Sequence, residues 1–311
     1  MEDNRMVIYE ILNEVKKVIR GKDSAIEKVL TAMLAKGHIL IEDIPGVGKT
    51  TLALAFSKAM DLEYKRMQFT PDVLPTDVIG FHILTKEGKF EYKPGAVLCN
   101  LFLADEINRT SSKTQSALLE VMEEGKVTVD GETREVPKPF FVIATQNPSG
   151  SVGTQMLPDS QLDRFMIRLS MGYPDMNQEI DIIKGRQNSN PLEDVNRIIG
   201  KEAIEKMQKE VSNVFVHDIL FAYIAALVAA SRNHPMISLG VSPRGSIAIA
   251  AMSRASAYIH GRDYVIPEDI TYVFGDVIGH RIMLSAKAKI NHVTTEQIVI
   301  DIINQVTPPR I

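Results

Sequence analysis

Short apolar runs recur through the first half of the chain. Five strands are predicted, at residues 38–41, 64–68, 101–104, 140–144 and 165–169, and the runs at 101–104 and 140–144 are strongly apolar. Runs that are apolar at successive positions, rather than alternating, are typical of strands covered on both faces. Helix-period stretches separate the runs. The pattern therefore predicts an α/β fold with a parallel five-stranded sheet between helices.

The pattern changes after Tyr173-Pro174-Asp175. From there to the end only helix-period segments appear, at residues 177–187, 201–211, 219–230, 243–260 and 267–281. Pro267 followed by Glu268 and Asp269 is typical of a helix start, because acidic side chains are stabilised at the positive end of the helix dipole. We therefore predict an α/β domain over 1–172 and, over 173–311, a linker near 188–191 followed by an all-helical domain.

Two hairpins are predicted as insertions in the first domain. Residues 80–93 are two short strands around a Glu-Gly turn, and residues 126–136 are two strands around Asp130-Gly131, a favoured tight turn. Aromatic residues between lysines in the first hairpin would suit contact with a substrate. Its glutamates favour an ordinary solvated hairpin instead, and the sequence leaves both meanings open.

Composition and charge narrow the class of protein. The 311 residues are 45% hydrophobic and 24% charged, which excludes a largely disordered chain. The net charge of −4 provides no whole-chain electrostatic case for nucleic acid. With a single cysteine, Cys99, no intrachain disulfide can form, and a small buried thiol in a reducing compartment is expected. The N-terminus is unlike a signal peptide, and the apolar run 219–230 is shorter than the ~20 residues that span a bilayer. We expect a cytoplasmic protein without a membrane span.

The strongest chemical signal is PGVGKTT at residues 45–51, between a predicted strand and a predicted helix. Glycines let backbone N–H groups cradle a phosphate, Lys49 can reach the β- and γ-phosphates, and the Thr50 hydroxyl can ligate Mg²⁺. Asp43 stands where this pattern usually has its first glycine, and we expect its carboxylate to point away from the phosphates. An ordinary Gly-Pro turn is the alternative, but the strand–loop–helix context favours a loop that binds ATP or ADP.

Polar side chains end two further predicted strands. Asp105 and Glu106 follow the run 101–104, where Asp105 would hold Mg²⁺ through water and Glu106 would orient and deprotonate an attacking water. Strands often end in acids, so this signal gains its weight from the phosphate loop. Asn147 follows the run 140–144 and can hold the same water, although a simple strand-ending turn is an even alternative.

Arg164 lies just before the fifth predicted strand. A guanidinium supplied by a neighbouring subunit can neutralise charge on a γ-phosphate during transfer. A surface ion pair with Asp159 or Asp163 is the alternative.

The ordered series PGVGKTT, LFLADEINR, FFVIATQNP, LPDSQLDRF and SPRGSIAI resembles the MoxR family of AAA+ ATPases over nearly the whole chain. The resemblance implies an AAA+ P-loop core, a helical lid and a nucleotide bound between them. It also implies a set of nucleotide-binding residues, namely Gly21, Pro45, Gly46, Val47, Gly48, Lys49, Thr50, Thr51 and Arg244. Among these, Gly21 belongs to a segment that packs on adenine, and Arg244 corresponds to a lid arginine called sensor 2.

The same resemblance assigns roles in hydrolysis. Lys49 and Thr50 match the Walker A residues, Asp105 and Glu106 the Walker B pair, and Asn147 the sensor 1 position. Catalysis would also use Arg164, acting on the next subunit as an arginine finger, and Arg244. The metal ligands would be Thr50 and Asp105.

The expected function is Mg²⁺-dependent ATP hydrolysis that drives chaperone-like remodelling of a protein partner. The resemblance points to partners with von Willebrand factor A domains and to self-association, as hexameric rings. Two alternatives stay open: a nucleic-acid motor, which the charge balance disfavours, and a nucleotide-gated scaffold with little turnover, which the intact catalytic residues disfavour.

Overall fold

The computed structural model describes residues 2–147, 156–185 and 190–310. Numbered along the chain, its strands are β1 (Ile39–Glu42), β2 (Tyr64–Gln68), β3 (Gly80–Leu84), β4 (Phe90–Pro94), β5 (Leu101–Asp105), β6 (Lys126–Val129), β7 (Glu132–Glu135), β8 (Phe141–Gln146), β9 (Ile167–Leu169), β10 (Ile237–Leu239) and β11 (Met283–Leu284). Its helices are α1 (Glu2–Val18), α2 (Asp23–Leu34), α3 (Lys49–Ala59), α4 (Pro75–Ile79), α5 (Ser112–Glu124), α6 (Asp159–Leu162), α7 (Met176–Gly185), α8 (Lys201–Ser212), α9 (Asp218–Asn233), α10 (Pro243–Ile259), α11 (Pro267–Ile278), α12 (Ala286–Ile290) and α13 (Thr295–Gln305), with 3₁₀ turns at Ile107–Arg109 and Pro191–Asp194.

The predicted parallel sheet is confirmed. Its five strands pair in the order β2-β5-β8-β1-β9, and every pairing is parallel. Strands β5 and β8 are apolar at successive positions because both sheet faces are covered: in β5, Phe102 packs into one apolar cluster, and its neighbours Leu101 and Leu103 pack into the other. The edge strand β2 differs, because it keeps polar side chains that reach the carboxyl end of the sheet.

Two antiparallel hairpins, β3–β4 and β6–β7, lie outside the sheet at the predicted places. They contact each other. The imidazole Nδ1 of His82 lies 2.7 Å from a carboxylate oxygen of Asp130, and the guanidinium of Arg134 stacks 3.9 Å from the ring centroid of Tyr92. The hairpins therefore pack as one unit.

The described residues after 173 are mainly helical, as expected, and they also form the short antiparallel pair β10–β11. One apolar cluster runs from α1–α3 into α8–α11, and a 2.6 Å ion pair between Lys28 and Asp276 joins the same two regions. The boundary at residues 172 and 173 stays a prediction. Part of the predicted linker, Asn188 and Ser189, and the end of the predicted helix at Gln187 lie outside the described residues.

In the part of the chain that the structure describes, no helix combines the length and the apolar character needed to cross a membrane. The apolar run 219–230 lies within α9, which presents Leu220, Ile224 and Leu227 to the core.

Candidate nucleotide-binding site

The loop between β1 and α3 has the backbone of a phosphate cradle. Gly46 and Gly48 have φ values of 88° and 95°, a left-handed conformation that a side chain would strain. Helix α3 begins directly after them, so the unpaired N–H groups of its first turn face the loop. An anion placed here meets backbone donors and the positive end of a helix dipole.

Lys49 is buried at the start of α3, and its Nζ donates a hydrogen bond to the Asp43 carbonyl oxygen at 2.7 Å. Burial lowers the pKa of its ammonium group, and the nearby carboxylates of Asp43, Asp105 and Glu106 oppose that shift. A bound polyphosphate would add negative charge and favour the charged form.

The carboxylate of Asp43 points away from the loop interior, as the sequence predicts. One oxygen accepts hydrogen bonds from the backbone N–H groups of Met171 and Gly172, at 2.6 and 2.7 Å, and from the Ser170 hydroxyl at 3.2 Å. The other accepts the N–H of Ile44 at 2.9 Å. The acid therefore ties the loop to the chain that leaves β9.

The phosphate loop separates two cavities. The first, of about 350 Å³, has a largely apolar wall that includes Val18, Ile19, Val47, Ile182 and Leu192. The second, of about 370 Å³, is polar and contains most of the predicted phosphate and metal ligands: Pro45, Gly46, Gly48, Lys49, Thr50, Thr51, Asp105, Glu106 and Asn147. Gly46, Gly48 and Thr51 line both cavities. The pair is suited to a ligand with an apolar base at one end and phosphates at the other.

Asp105 ends β5 with both carboxylate oxygens in use. Oδ1 accepts the Thr145 hydroxyl at 2.6 Å, and Oδ2 accepts Nη2 and Nε of Arg66 at 2.7 and 3.2 Å. Thr145 lies on the neighbouring strand β8, and Arg66 lies on β2. The two strands that flank β5 thus orient its terminal carboxylate.

Glu106 is held by three donors. Its Oε1 accepts the Asn147 amide at 3.1 Å, and its Oε2 accepts Gln68 and Arg109, each at 2.8 Å. The residue itself has a φ of 56°, a left-handed conformation that non-glycine residues rarely adopt. Such strain is common where a fold aims a side chain into a functional site. The structure therefore brings Glu106 and Asn147 together, as the sequence predicts.

The structure does not bring Arg164 or Arg244 into either cavity. Both side chains bind the carboxylate of Glu123 on α5, Arg164 at 3.2 Å and Arg244 at 2.5 Å. Arg164 is therefore not in the ion pair with Asp159 or Asp163 that was its alternative. Arg244 lines neither cavity, and Ser242, just before α10, donates a hydrogen bond to Asp163 at 3.0 Å.

The second wall of the apolar cavity comes from the first part of the predicted second domain, residues 173–311. Beyond the core it consists of Pro174, residues of α7 and the segment 190–194, and no described residue after Asp194 lines it. Gly21 lies beside this cavity rather than in it. Arg20 and Lys22 line the cavity, whereas Gly21 lines an adjoining one and packs against Gln178 of α7.

Sequence reasoning missed Arg66, Gln68, Arg109 and Thr145. Arg66 and Gln68 are two residues apart on β2, so they share a face, and Gln68 pairs in register with Asp105. That spacing beside a predicted parallel strand was a usable signal. No comparable signal in the sequence pointed to Thr145 or Arg109, because their roles depend on how β8 and the turn after β5 meet.

Comparison with known proteins identifies the class of the chain. Residues 38–167 match the family described as "ATPase family associated with various cellular activities (AAA)", and residues 229–302 match the AAA lid domain. The fold and the P loop thus define an AAA+ ATPase.

Relatives of similar length give the particular family. The chain is 48% identical to the uncharacterized protein YeaC of Bacillus subtilis over 99% of this chain and 97% of that one. It is 38% identical to the chaperone MoxR1 of Mycobacterium tuberculosis, over 96% of this chain and 81% of the relative. A crystal structure from Cytophaga hutchinsonii superposes with a TM-score of 0.91 at 38% identity, covering 98% of this chain and 96% of that one. This chain belongs to the MoxR family of AAA+ ATPases.

Proposed function

We propose that this ATPase uses Mg²⁺-dependent ATP hydrolysis to remodel or activate a protein partner, working as a subunit of a ring. One observation carries the hydrolytic part: the phosphate loop joins an apolar cavity to a polar cavity that holds Lys49, Thr50, Asp105 and Glu106. Adenine suits the first cavity and the polyphosphate suits the second.

The donor set fits a magnesium ion. Thr50 and Asp105 line the same cavity and offer the oxygen ligands that Mg²⁺ prefers, with room for phosphate oxygens and waters. When bound, the ion would offset the charge of the phosphates. We assign Lys49 to the β- and γ-phosphates, where its ammonium group would neutralise further charge.

Glu106 is the proposed general base. Its carboxylate lines the phosphate cavity, where it can take a proton from a water directed at the terminal phosphate. Asn147 donates to the same carboxylate and can orient that water.

Arg164 and Arg244 are proposed to serve the nucleotide of a neighbouring subunit. Their shared anchor, Glu123, holds both guanidinium groups outside their own chain's cavities. A second subunit placing its γ-phosphate at this face would receive two positive charges. We therefore propose self-association into a ring, with six subunits as in the family that the sequence resembles.

The proposed partner is a protein, of the class with von Willebrand factor A domains. The name of the Mycobacterium tuberculosis relative, a chaperone, supports a protein client. The net charge of −4 speaks against a nucleic-acid track. Cys99 is fully buried and burial raises the pKa of its thiol to about 12, which suits an inert cysteine in the proposed cytoplasmic setting.

The test is to measure ATP binding and phosphate release for two variants. Lys49→Ala is expected to lose ATP binding, because no other side chain of α3 reaches the phosphate cavity with a positive charge. Glu106→Gln is expected to bind ATP as the unaltered protein does and to lose turnover about 10²- to 10⁴-fold. Lys209→Ala, which removes an exposed lysine of α8, should change neither quantity.

Steady-state hydrolysis by Glu106→Gln at the unaltered rate would refute the assigned base. The remodelling part is tested separately, by adding a purified protein with a von Willebrand factor A domain to the unaltered ATPase. Stimulated turnover supports the partner class, and stimulation by DNA or RNA instead would favour the motor.

A further inference from the structure

Arg66 is a positive charge at the phosphate cavity that neither the P loop nor the proposed hydrolysis uses. It lies on the edge strand β2, and its side chain lines the cavity together with Lys49, Thr50 and Asp105. About half of the side chain is exposed, at 45%. Its place is set by hydrogen bonds.

Those hydrogen bonds go to the proposed metal ligand. Nη2 and Nε of Arg66 both donate to Oδ2 of Asp105, and Nη2 also donates to Gln68 at 3.0 Å. The guanidinium of arginine is always protonated in proteins, so Arg66 carries a full positive charge. The pair is an arginine–carboxylate contact of the strong, charge-assisted kind.

The two carboxylate oxygens of Asp105 differ in what they bind. Oδ1 accepts one hydrogen bond, from the Thr145 hydroxyl at 2.6 Å, whereas Oδ2 accepts two from Arg66. Thr145 lies in the buried strand β8 and also accepts the N–H of Glu106. The Arg66 side chain is about half exposed. A cation that approaches Oδ2 of Asp105, directly or through a water, competes with Arg66.

The charges of the cavity explain why a counter-ion for Asp105 is useful before the metal ion binds. Asp105 and Glu106 would both repel a polyphosphate, and Lys49 alone cannot balance them together with the phosphates. We propose that Arg66 is a built-in counter-ion of Asp105 that stands in for Mg²⁺ before MgATP binds and yields Oδ2 to the ion afterwards. This inference rests on the proposed function, since it concerns the same phosphate cavity.

The inference predicts two effects of opposite sign. In Arg66→Ala, Asp105 keeps its full charge, so ATP in EDTA should bind about ten-fold more weakly. The same variant has no competitor for Oδ2, so a smaller Mg²⁺ concentration should half-saturate the ATP complex, again by about ten-fold. A role limited to holding β2 in place would not move the two quantities in opposite directions.

The experiment titrates ATP by calorimetry at 150 mM salt, in EDTA and in saturating MgCl₂, and then titrates MgCl₂ at fixed ATP. Lys65→Ala is the matched control, because it also removes a positive charge from β2. The ammonium group of Lys65 donates to the Leu98 carbonyl and does not face the cavity. Arg66→Lys should restore part of the binding in EDTA. Circular dichroism verifies that each variant is folded.

A double variant isolates the pair. In an Asp105→Asn background there is no carboxylate oxygen to compete for, so adding Arg66→Ala should no longer lower the Mg²⁺ concentration that half-saturates the ATP complex. An equal lowering in both backgrounds would overturn the inference. So would an Arg66→Ala protein that needs the same or more Mg²⁺ than the unaltered protein.

The outcomes also separate the inference from the proposed function. If the unaltered protein binds no ATP with or without Mg²⁺, both fail. If it binds and hydrolyses MgATP while Arg66→Ala leaves the ratio of the two affinities unchanged, only the role of Arg66 fails.

Discussion

The carboxylate of Asp43 shows how one residue can adapt a phosphate loop. Where the usual pattern has glycine, this chain places an acid that turns out of the cradle and accepts three backbone N–H groups and one hydroxyl. Its main-chain carbonyl meanwhile holds the ammonium group of Lys49. The residue is therefore an anchor between the loop and the segment 170–172.

Replacing Asp43 by Asn should destabilise the fold. The amide has one acceptor oxygen and places an NH₂ group against buried N–H donors, so we expect a loss of about 2 to 4 kcal/mol in the free energy of unfolding. Urea denaturation measures it. Asp61→Asn is the matched control, since the Asp61 carboxylate pairs with Arg197 at the surface and should cost less than about 0.5 kcal/mol. Equal losses for the two variants would contradict the anchoring role.

At the scale of elements, the turn that follows α11 binds the segment that carries Arg164. The buried Arg281 donates from Nε to Asp163 at 2.8 Å and from Nη2 to the Phe165 carbonyl at 2.6 Å. His280 lies within hydrogen-bond distance of the same carbonyl, at 3.0 Å. Because Ser242 also binds Asp163, the segment with Arg164 and the start of α10 with Arg244 are fixed to each other.

Arg281→Met should therefore loosen both arginines at once. Removing one partner of a buried ion pair costs about 3 to 5 kcal/mol, measured by urea denaturation. At temperatures where the variant is still folded, turnover should fall while ATP affinity is kept, because the cavities lie elsewhere. Arg197→Met, an exposed control, should leave stability and turnover unchanged. A variant with weakened ATP binding and unchanged turnover per bound ATP would argue against this positioning role.

At the scale of the whole molecule, the nucleotide cavities and the two arginines lie on separate surfaces. Under the proposed function, such a subunit would be complete only beside another copy. Mixing Lys49→Ala with Arg164→Ala tests this directly, since each variant alone should lose turnover, Arg164→Ala by about 10³-fold or more. In the mixture, an intact Arg164 from one subunit can serve the intact phosphate loop of the next.

Recovery of phosphate release on mixing is the expected result. If the mixture is as inactive as its components although light scattering shows mixed oligomers, Arg164 does not act on a neighbour. As a control, Lys49→Ala is mixed with Lys209→Ala, whose arginine and phosphate loop are intact. This mixture shows how exchange of subunits by itself changes the turnover.

The sequence alone predicted the local chemistry wherever the functional residues lie close together in the chain. The five strands, the phosphate loop with Lys49, and the pair Asp105-Glu106 each depend on a short stretch whose apolar pattern or glycines leave few conformations. The sequence did not predict the order of the strands. A parallel sheet nevertheless brings the ends of its strands to one edge, which was enough to place Asn147 near Glu106.

Contacts between distant segments were decided by the folded molecule. Three contacts depend on how β2, β9 and α10 are placed: those of Asp43 with residues 170–172, of Arg66 with Asp105, and of Arg244 with Glu123. No periodicity along a single segment encodes such placements, because they arise from burying the apolar faces of several elements together. Sequence thus determined which chemistry is present, and packing determined which charges face one another.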